Sequence, residues 1–426
     1  MDLYQMAQSN DPTFQSARFT YDAARQKRME ALSALLPAVA ATADGNQTRG
    51  STKYTDTPQV TRSFYGDDWA VQLTQPVFRA ANVFAFEESK AVVDQAASEY
   101  AAAEQDLIVR VAEATFDVLV AEETLEAAEA QLRSMEVQLS AAEDSYRRGV
   151  ATVTDADDAR SRRALAQAQS NAAVTGLEIK RATLEAITGP LSSDLAALRA
   201  GVVLRTPIPD DLATWLTQSR EENPGVRASE ANVAAAEHEL SRVRALRLPT
   251  VDLVASYGGN YSNGNIVNPV NYGSEVRDRN VALQFSMPLF QGGNLEAQIH
   301  EAYAKWQKAV ADLELARRQA ALLVKTSFAT IHSDLAQVAA LREAVEAGAR
   351  TVKGAQAGYG LGIRINSDVL NAEQQLYGSQ RDLAQARYDT LLEGLKLKAA
   401  VGDLRPSDLQ AVDALLSSSS ASTPGN

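Results

Sequence analysis

Cysteine is absent from this sequence, histidine is scarce and long apolar runs are missing. A chain without cysteine has no disulfide, no thiolate metal ligand and no cysteine nucleophile. The three histidines, His238, His300 and His332, lie far apart, and no two of them have the spacing of a helical metal site. No apolar stretch approaches the roughly 18 residues that a transmembrane helix needs. We therefore expect no metal, no cofactor and no membrane-spanning helix.

Positive charge is outnumbered, and the usual catalytic motifs are missing. The 426 residues include 54 Asp and Glu against 41 Lys and Arg, which gives a formal net charge of -13. Nucleic-acid binding relies on Lys and Arg to neutralise phosphates, so we expect no nucleic-acid partner. The segment Gln291-Gly292-Gly293 lacks the Lys-Ser/Thr of a phosphate-binding loop, and the sequence shows no nucleophile–base pair. We do not expect an enzyme.

The two ends of the chain lack recognisable targeting signals. Met1 is followed by Asp2 and an amphipathic segment, without the basic region and apolar stretch of a signal peptide. If the protein is exported, we expect this chain to begin at the mature domain, and the sequence leaves lipid anchoring open. Residues 417–426 are rich in serine and include proline and glycine, which predicts a disordered tail.

The sequence repeats itself at an offset of 212 or 213 residues. A single offset held along most of the chain indicates a tandem duplication. We predict a first structural repeat at 1–200, an inter-repeat linker at 201–211 and a second repeat at 212–416. The clearest matched pairs are Pro12 with Pro224, Pro37 with Pro249, Phe78 with Phe290, Gly149 with Gly362, and Asp155 with Asp368.

Long helices are predicted in both repeats. Residues 80–146 contain no internal proline, and at about 1.5 Å per residue they would form a helix about 100 Å long. Apolar residues recur every seven positions within 111–139 and again within 324–352, the heptad pattern of packed coiled coils. Gly149 and Gly362 then interrupt the pattern, which predicts a reversal into a second, shorter helix.

Each repeat also contains two segments of about ten residues with alternating apolar and polar side chains, joined by polar loops at 47–63 and 262–275. The commoner explanation of such alternation is a half-buried sheet in a globular domain. Here the helices use their apolar stripes on each other, so nothing remains to cover a sheet. Ten residues also suit a tilted strand across a bilayer. Four strands cannot close a barrel, and an open sheet edge is not tolerated in lipid. Several copies of the chain must therefore contribute strands to one shared barrel.

Several short segments, each weak alone, occur in this chain in one order and at duplicated spacing. The segments are 75–78, 146–155, 287–293, 359–370, 376–377 and 386–388. Together they resemble the TolC family of outer-membrane channel proteins over nearly the whole length. The resemblance implies a mostly α protein with a membrane β part, a homotrimer with a twelve-stranded β-barrel, four strands per protomer, continued by a long α-helical barrel across the periplasm.

The resemblance also implies a function and partners. Family members sit in the outer membrane of Gram-negative bacteria and act as exit ducts of tripartite efflux pumps or type I secretion systems. The implied partners are outer-membrane lipid, a periplasmic adaptor (membrane fusion) protein and an inner-membrane RND, ABC or MFS transporter. The alternative from the residues alone is a soluble periplasmic coiled-coil scaffold protein.

The same resemblance assigns roles to the two turns. An Asp that follows a glycine turn is ordinarily an N-cap or first-turn acid, and that alternative stays open for Asp155. The family pattern has a second Asp where this chain has Asn371, which places strong cation selectivity in doubt. The implied roles are a periplasmic gate at Thr154, Asp155, Tyr359 and Arg364, a pore acidic ring at Asp368, a second ring position at Asn371, and adaptor-docking turns at Gly149 and Gly362.

Overall fold

The computed structural model describes residues 2–190, 195–199, 201–267, 270 and 272–417. They divide into two compact units. The helical unit comprises the described parts of Met1–Thr20, Ser98–Arg227 and Glu314–Asn426. The strand unit comprises Tyr21–Ala97 and the described parts of Ala228–Leu313.

Helices account for most of the described chain, and strands fall mainly in two hairpins. The helices are α1 (Asp2–Asn10), α2 (Pro12–Ser33), α3 (Ala80–Arg147), α4 (Val153–Thr188), α5 (Leu212–Glu222), α6 (Pro224–Ala245), α7 (Asn294–Gly360), α8 (Asn366–Val401) and α9 (Pro406–Asp413). The strands are β1 (Ala38–Thr52), β2 (Val60–Phe78), β3 (Ala197–Leu198), β4 (Thr250–Ser262), β5 (Ser274–Ser286) and β6 (Leu416–Ser417).

The heptad positions of the long helices form the core of the helical unit. Val111 of α3 is buried in the same apolar cluster as Tyr388 of α8, and Val118 of α3 is buried in a second cluster with Leu184 of α4. In the second repeat, Val324 and Ile331 of α7 form a separate cluster with residues of α5 and α8. The heptad pattern therefore marks helix-to-helix contacts, as predicted.

Several short elements of the helical unit were missed by the sequence analysis. α1, α5 and α9 are too short to show a clear helical period, although Asp211 caps α5 with hydrogen bonds from the Ala213 and Thr214 amides. β3 pairs with β6, which includes Ser417, the first residue of the predicted tail. Residues 418–426 of that tail lie outside the described residues.

The strand unit contains one four-stranded antiparallel sheet in the order β1-β2-β4-β5. The β1–β2 hairpin places Ala38 opposite Thr74, and the β4–β5 hairpin places Thr250 opposite Ser286, which is the same register shifted by the repeat offset. The β1–β2 strands are longer than predicted. Residues 47–52 and 60–63 were expected in a loop but pair with the opposite strand, because polar side chains do not prevent a backbone ladder from continuing.

One row of residues across the sheet is apolar, and its neighbour on the other face is mainly polar. Residues directly opposite each other in antiparallel strands point to the same face, so the pairing register defines rows that cross all four strands. Successive rows point to opposite faces of the sheet. The apolar row is Val39, Leu73, Ala255 and Val281, and the neighbouring row on the other face is Ala40, Gln72, Ser256 and Asn280.

Candidate functional site at the paired helix turns

The first turn joins α3 to α4 through a glycine that needs its left-handed backbone. Gly149 has φ +77°, and no atom lies within 4 Å of the position that a Cβ would take. The Gly149 amide donates to the Tyr146 carbonyl (2.9 Å), and the Val150 amide donates to the Ser145 carbonyl (3.0 Å). This closes the end of α3, and glycine is required for its conformation and not for space.

Asp155 completes a capping box at the start of α4. The Asp155 amide donates to Thr152 Oγ1 (3.2 Å), while its carboxylate accepts from the Thr152 amide (2.9 Å) and hydroxyl (2.8 Å). The bonds from the Thr152 amide and hydroxyl lower the pKa of the Asp155 carboxyl. Asp155 is therefore ionised at neutral pH and stabilises the helix N-terminus.

The second turn joins α7 to α8 with a similar glycine but a weaker cap. Gly362 has φ +72°, and the Ile363 amide donates to the Gly358 carbonyl (2.9 Å). The N-cap residue of α8 is Ile365, which makes no side-chain capping hydrogen bond. Arg364 instead places Nη1 3.5 Å from Asp368 Oδ2, an ion pair of two partly exposed side chains.

The predicted gate residues lie on these turns but do not contact one another across them. In the described part of the chain, no hydrogen bond or ion pair joins Thr154 or Asp155 to Tyr359 or Arg364. Thr154, Asp155 and Arg364 are exposed, and Tyr359 is half-buried. The gate role of these four residues stays a prediction, and the single chain already uses Asp155 as a cap.

The two predicted ring positions differ in their partners. Asp368 carries the Arg364 pair, whereas Asn371 lies one helical turn further along α8. Arg162 of α4 donates from Nη1 to Asn371 Oδ1 (2.9 Å) and pairs through Nε with Asp158 (3.1 Å). Arg162 was not predicted as a site residue, because no local sequence pattern shows which distant helix an arginine reaches.

Apolar side chains surround both turn glycines and point into solvent. Val150, Leu361 and Ile363 are each about three-quarters exposed, and Val153 and Ile365 are more than half exposed. Exposed apolar residues grouped on a short turn are a typical feature of a protein-binding surface. The docking role predicted for Gly149 and Gly362 would use these neighbours.

Two kinds of site are absent from the described residues. None of their helices is both long enough and apolar enough to cross a membrane. No group of three or more His, Asp or Glu side chains in this part of the chain could hold a metal ion.

Known proteins resemble this chain over nearly its full length. The sequence model of the outer membrane efflux protein family matches residues 3–190 and again 215–403. Outer membrane protein TolC of Escherichia coli is 29% identical over 436 residues, covering 100% of this chain and 86% of that protein. Alkaline protease secretion protein AprF of Pseudomonas aeruginosa is 30% identical over 423 residues, covering 97% and 86%.

Solved structures share the fold. The outer membrane channel CmeC of Campylobacter jejuni matches with a TM-score of 0.81 at 17% identity, covering 97% of this chain and 88% of that one. Members of the outer membrane efflux protein family are channels. The chain therefore belongs to the outer membrane efflux protein family, which confirms the predicted family, the mostly helical fold with a four-stranded antiparallel sheet, and the outer-membrane location.

Proposed function

We propose that this protein is the outer-membrane exit duct of a tripartite efflux pump or a type I secretion system. It conducts substrates passively from an inner-membrane transporter to the exterior and catalyses no reaction. The observation that carries the proposal is the duplicated family match, which includes relatives named for efflux and for protease secretion.

The sheet supports a shared barrel. β1 and β5 are its edge strands, and an unpaired edge in lipid would leave backbone N–H and C=O groups without partners, each at a cost of several kcal/mol. Three copies with four strands each supply a closed ring of twelve. The apolar row of each sheet then faces lipid and the polar row faces the lumen. A homotrimer therefore leaves no open sheet edge in lipid and places the apolar and polar rows on opposite sides of the barrel wall.

The helices and turns form the periplasmic part of the duct in this proposal. Thr154, Asp155, Tyr359 and Arg364 belong to its gate. The exposure of Thr154, Asp155 and Arg364 leaves these three available to a neighbouring copy of the chain. Partly exposed ion pairs contribute only about 0–1 kcal/mol each, so a docked partner can displace them. Asp368 lines the constriction as a ring of three carboxylates, which favours cations.

The partners follow from the same arrangement. The exposed apolar residues around Gly149 and Gly362 form the docking surface for a periplasmic adaptor, which recruits an RND, ABC or MFS transporter. The transporter selects the substrate and the duct passes it on.

Reconstitution of the full chain tests the proposal. We expect the protein to require detergent for extraction, to behave as a trimer in solution and to produce discrete conductance steps in planar lipid bilayers. Buffer with detergent but no protein is the control. A monomer that stays soluble without detergent and produces no steps would contradict the proposal and favour a soluble coiled-coil scaffold.

The gate assignments have a separate test in the same bilayers. Asp155→Ala and Arg364→Ala should each raise the conductance of the closed channel, because each removes a charge from the lock. Asp368→Ala should instead shift the reversal potential under a salt gradient toward lower cation preference. Unchanged conductance in the double variant would remove Asp155 and Arg364 from the gate.

A further inference from the structure

The outward face of the sheet, which carries the apolar row, changes from charged to apolar along β5. Side chains alternate between the two faces, so Arg277 and Arg279 share the outward face with Val281 of the apolar row. Leu283 and Phe285 continue that face toward α7, and these three apolar residues are each 65% exposed or more. In the proposed duct, the loop end of β5 is extracellular. The two arginines therefore lie where the apolar band ends and the outer surface of the membrane begins.

Two aromatic side chains mark the same boundary. Trp69 and Tyr257 lie on the outward face and meet edge to face, with ring centroids 5.3 Å apart and an interplanar angle of 81°. Tyr257 is directly opposite Arg279, whose guanidinium carbon lies over the ring at 5.2 Å from its centroid. Aromatic side chains collect at membrane–water interfaces, and the contact between cation and ring holds Arg279 at that level.

The charged residues on the outward face of the four strands all lie at this end of the sheet. They are Arg49, Asp67, Glu275, Arg277 and Arg279. Arg277 donates to the Glu275 carboxylate from Nη2 (2.8 Å) and Nε (3.1 Å), whereas Asp67 lies on β2, two strands away from β5. Among the described residues, no carboxylate pairs with Arg279 or with Arg49. Positive charge is therefore in excess on this part of the surface.

The joint between two copies of the chain would bring two of these arginines together. β1 and β5 are the edges of the sheet, and the 212-residue offset maps β2 onto β5 and β4 onto β1. The β2–β4 joint places Asp67 opposite Tyr261, so the same pairing between copies places Arg279 of one copy opposite Arg49 of the next. Like charges directly opposite each other on one face are destabilising. An anion bound between the two arginines removes that repulsion.

We propose that Arg277 and Arg279 of one copy and Arg49 of the next bind a phosphate group of an outer-leaflet lipid, once at each joint between copies. The site rests on the proposed trimeric barrel. The planar guanidinium of arginine matches phosphate with paired charge-assisted hydrogen bonds. The apolar band beside the arginines receives the acyl chains, which a free phosphate lacks. We therefore assign the ligand to a phosphorylated lipid, and the bound lipid also stabilises the joint between copies.

Native mass spectrometry of the full-length, detergent-solubilised trimer tests the site. The probe is lipid A with its phosphate groups intact, and the comparison is the same lipid after phosphatase treatment. We expect the wild type to retain the phosphorylated lipid, up to one molecule per joint, and to bind the dephosphorylated lipid much more weakly. Arg279→Ala and Arg49→Ala should each lower the affinity for the phosphorylated lipid about fivefold, the effect of one arginine at an anionic membrane surface.

Two further variants separate this site from a general effect of charge. Arg62 follows the strand residue before Ser63, which lies opposite Arg49, and it points to the inward face. Arg62→Ala therefore removes the same charge at the same level and should leave lipid affinity unchanged. Glu275→Gln frees the Arg277 guanidinium and should raise the affinity. This increase should vanish in the Arg277→Ala background.

The outcomes also separate the site from the channel function. If the wild type is not a trimer and forms no conductance steps, the proposed function itself fails. If the wild type conducts but retains both forms of the lipid equally, or if Arg49→Ala and Arg279→Ala bind like Arg62→Ala, the site is wrong and the channel stands. Displacement of the lipid by inorganic phosphate at the same phosphate concentration would also overturn the lipid assignment.

Lysine variants keep the test decisive if an alanine variant does not assemble. Arg279→Lys and Arg49→Lys preserve the charge at the joint but lose the paired hydrogen bonds of the guanidinium. They should bind the phosphorylated lipid more weakly than the wild type does. Wild-type affinity in both lysine variants would contradict recognition of a phosphate group by these arginines.

Discussion

The two turns that join the paired helices differ in how they are stabilised. In the first repeat, Thr152 and Asp155 satisfy each other's backbone and side-chain groups, so the start of α4 is fixed locally. In the second repeat, Ile365 offers no acceptor, and α8 depends on contacts with other helices. Duplication therefore preserved the glycine turn, but one copy is stabilised by a local cap and the other by residues of other helices.

A second difference between the repeats lies where α2 and α6 begin, and there both helices are capped. Asp11 caps α2 with bonds from the Thr13 and Phe14 amides and pairs with Arg110 (2.7 Å). Asn223, its counterpart, accepts from the Val226 amide and donates to the Ala400 carbonyl. The first repeat uses a buried charge pair where the second uses a neutral amide.

The largest expected difference between the repeats is in their matched phenylalanines. Phe116 is 4% exposed and stacks on Tyr388 with centroids 5.7 Å apart, whereas Phe328 is only partly buried beside His332. Phe116→Ala should lower the free energy of unfolding by about 3–5 kcal/mol, and Phe328→Ala by clearly less. Urea unfolding of the detergent-solubilised protein measures both. Equal losses would contradict the asymmetry.

The two helix caps should differ by a smaller amount. Asp11→Ala removes a cap and leaves Arg110 with only Asp106 as a carboxylate partner, so we expect a loss of about 2–3 kcal/mol. Asn223→Ala removes a neutral cap and should cost about 1 kcal/mol. The same unfolding measurement compares them, and a larger loss at Asn223 would reverse the comparison.

Low pH should remove the difference between the Asp11 and Asn223 caps in their contribution to the free energy of unfolding. Burial raises the pKa of the Asp11 carboxyl, but the bonds from Arg110 and from the Phe14 and Thr13 amides outweigh it and lower that pKa overall. Because the folded pKa lies below the unfolded one, the stabilisation is complete above the unfolded value of about 4 and is lost as pH falls through the folded value. The stability gap between wild type and Asp11→Asn should therefore shrink below about pH 4. The gap for Asn223→Ala should not change, since asparagine does not titrate.

The smallest expected effect comes from exchanging the caps of the two turns. Thr152→Ala should weaken the start of α4 by about 1 kcal/mol, and Ile365→Thr should strengthen the start of α8 by a similar amount. Hydrogen exchange of the first-turn amides measures each change locally. If the first-turn amides of α8 exchange faster after Ile365→Thr, the missing cap does not limit the stability of the start of this helix.

The long helices and the turn glycines were predictable because their signals are local. Heptads mark α3 and α7, and only a residue free to adopt positive φ fits Gly149 and Gly362. The extended β1–β2 pairing was not predictable, since it depends on the partner strand and not on side-chain alternation. The Asp155 carboxylate fitted two roles in the sequence, and only the coordinates place it on Thr152.

The contacts between hairpins were beyond the sequence analysis. Arg160, Arg162 and Arg163 cannot be told apart by sequence pattern. Arg160 and Arg163 reach α3 and Arg162 reaches α8, because successive residues of a helix point about 100° apart. The burial of Glu373 could have been predicted, because a carboxylate three residues after Leu370 falls on the buried stripe of α8. A charged residue on an apolar stripe indicates a polar partner, but the partner's identity requires the fold.

The register of the sheet has a consequence for how separate chains would join. The hairpins β1–β2 and β4–β5 are equivalent under the 212-residue shift, and Trp69 lies opposite Gly259 where β2 meets β4. Applying the same shift to the joint between two chains of the proposed trimer places Val281 of one copy opposite Gln47 of the next. The ring then consists of six near-equivalent hairpins, in which three joints lie within a polypeptide and three are repeated between polypeptides.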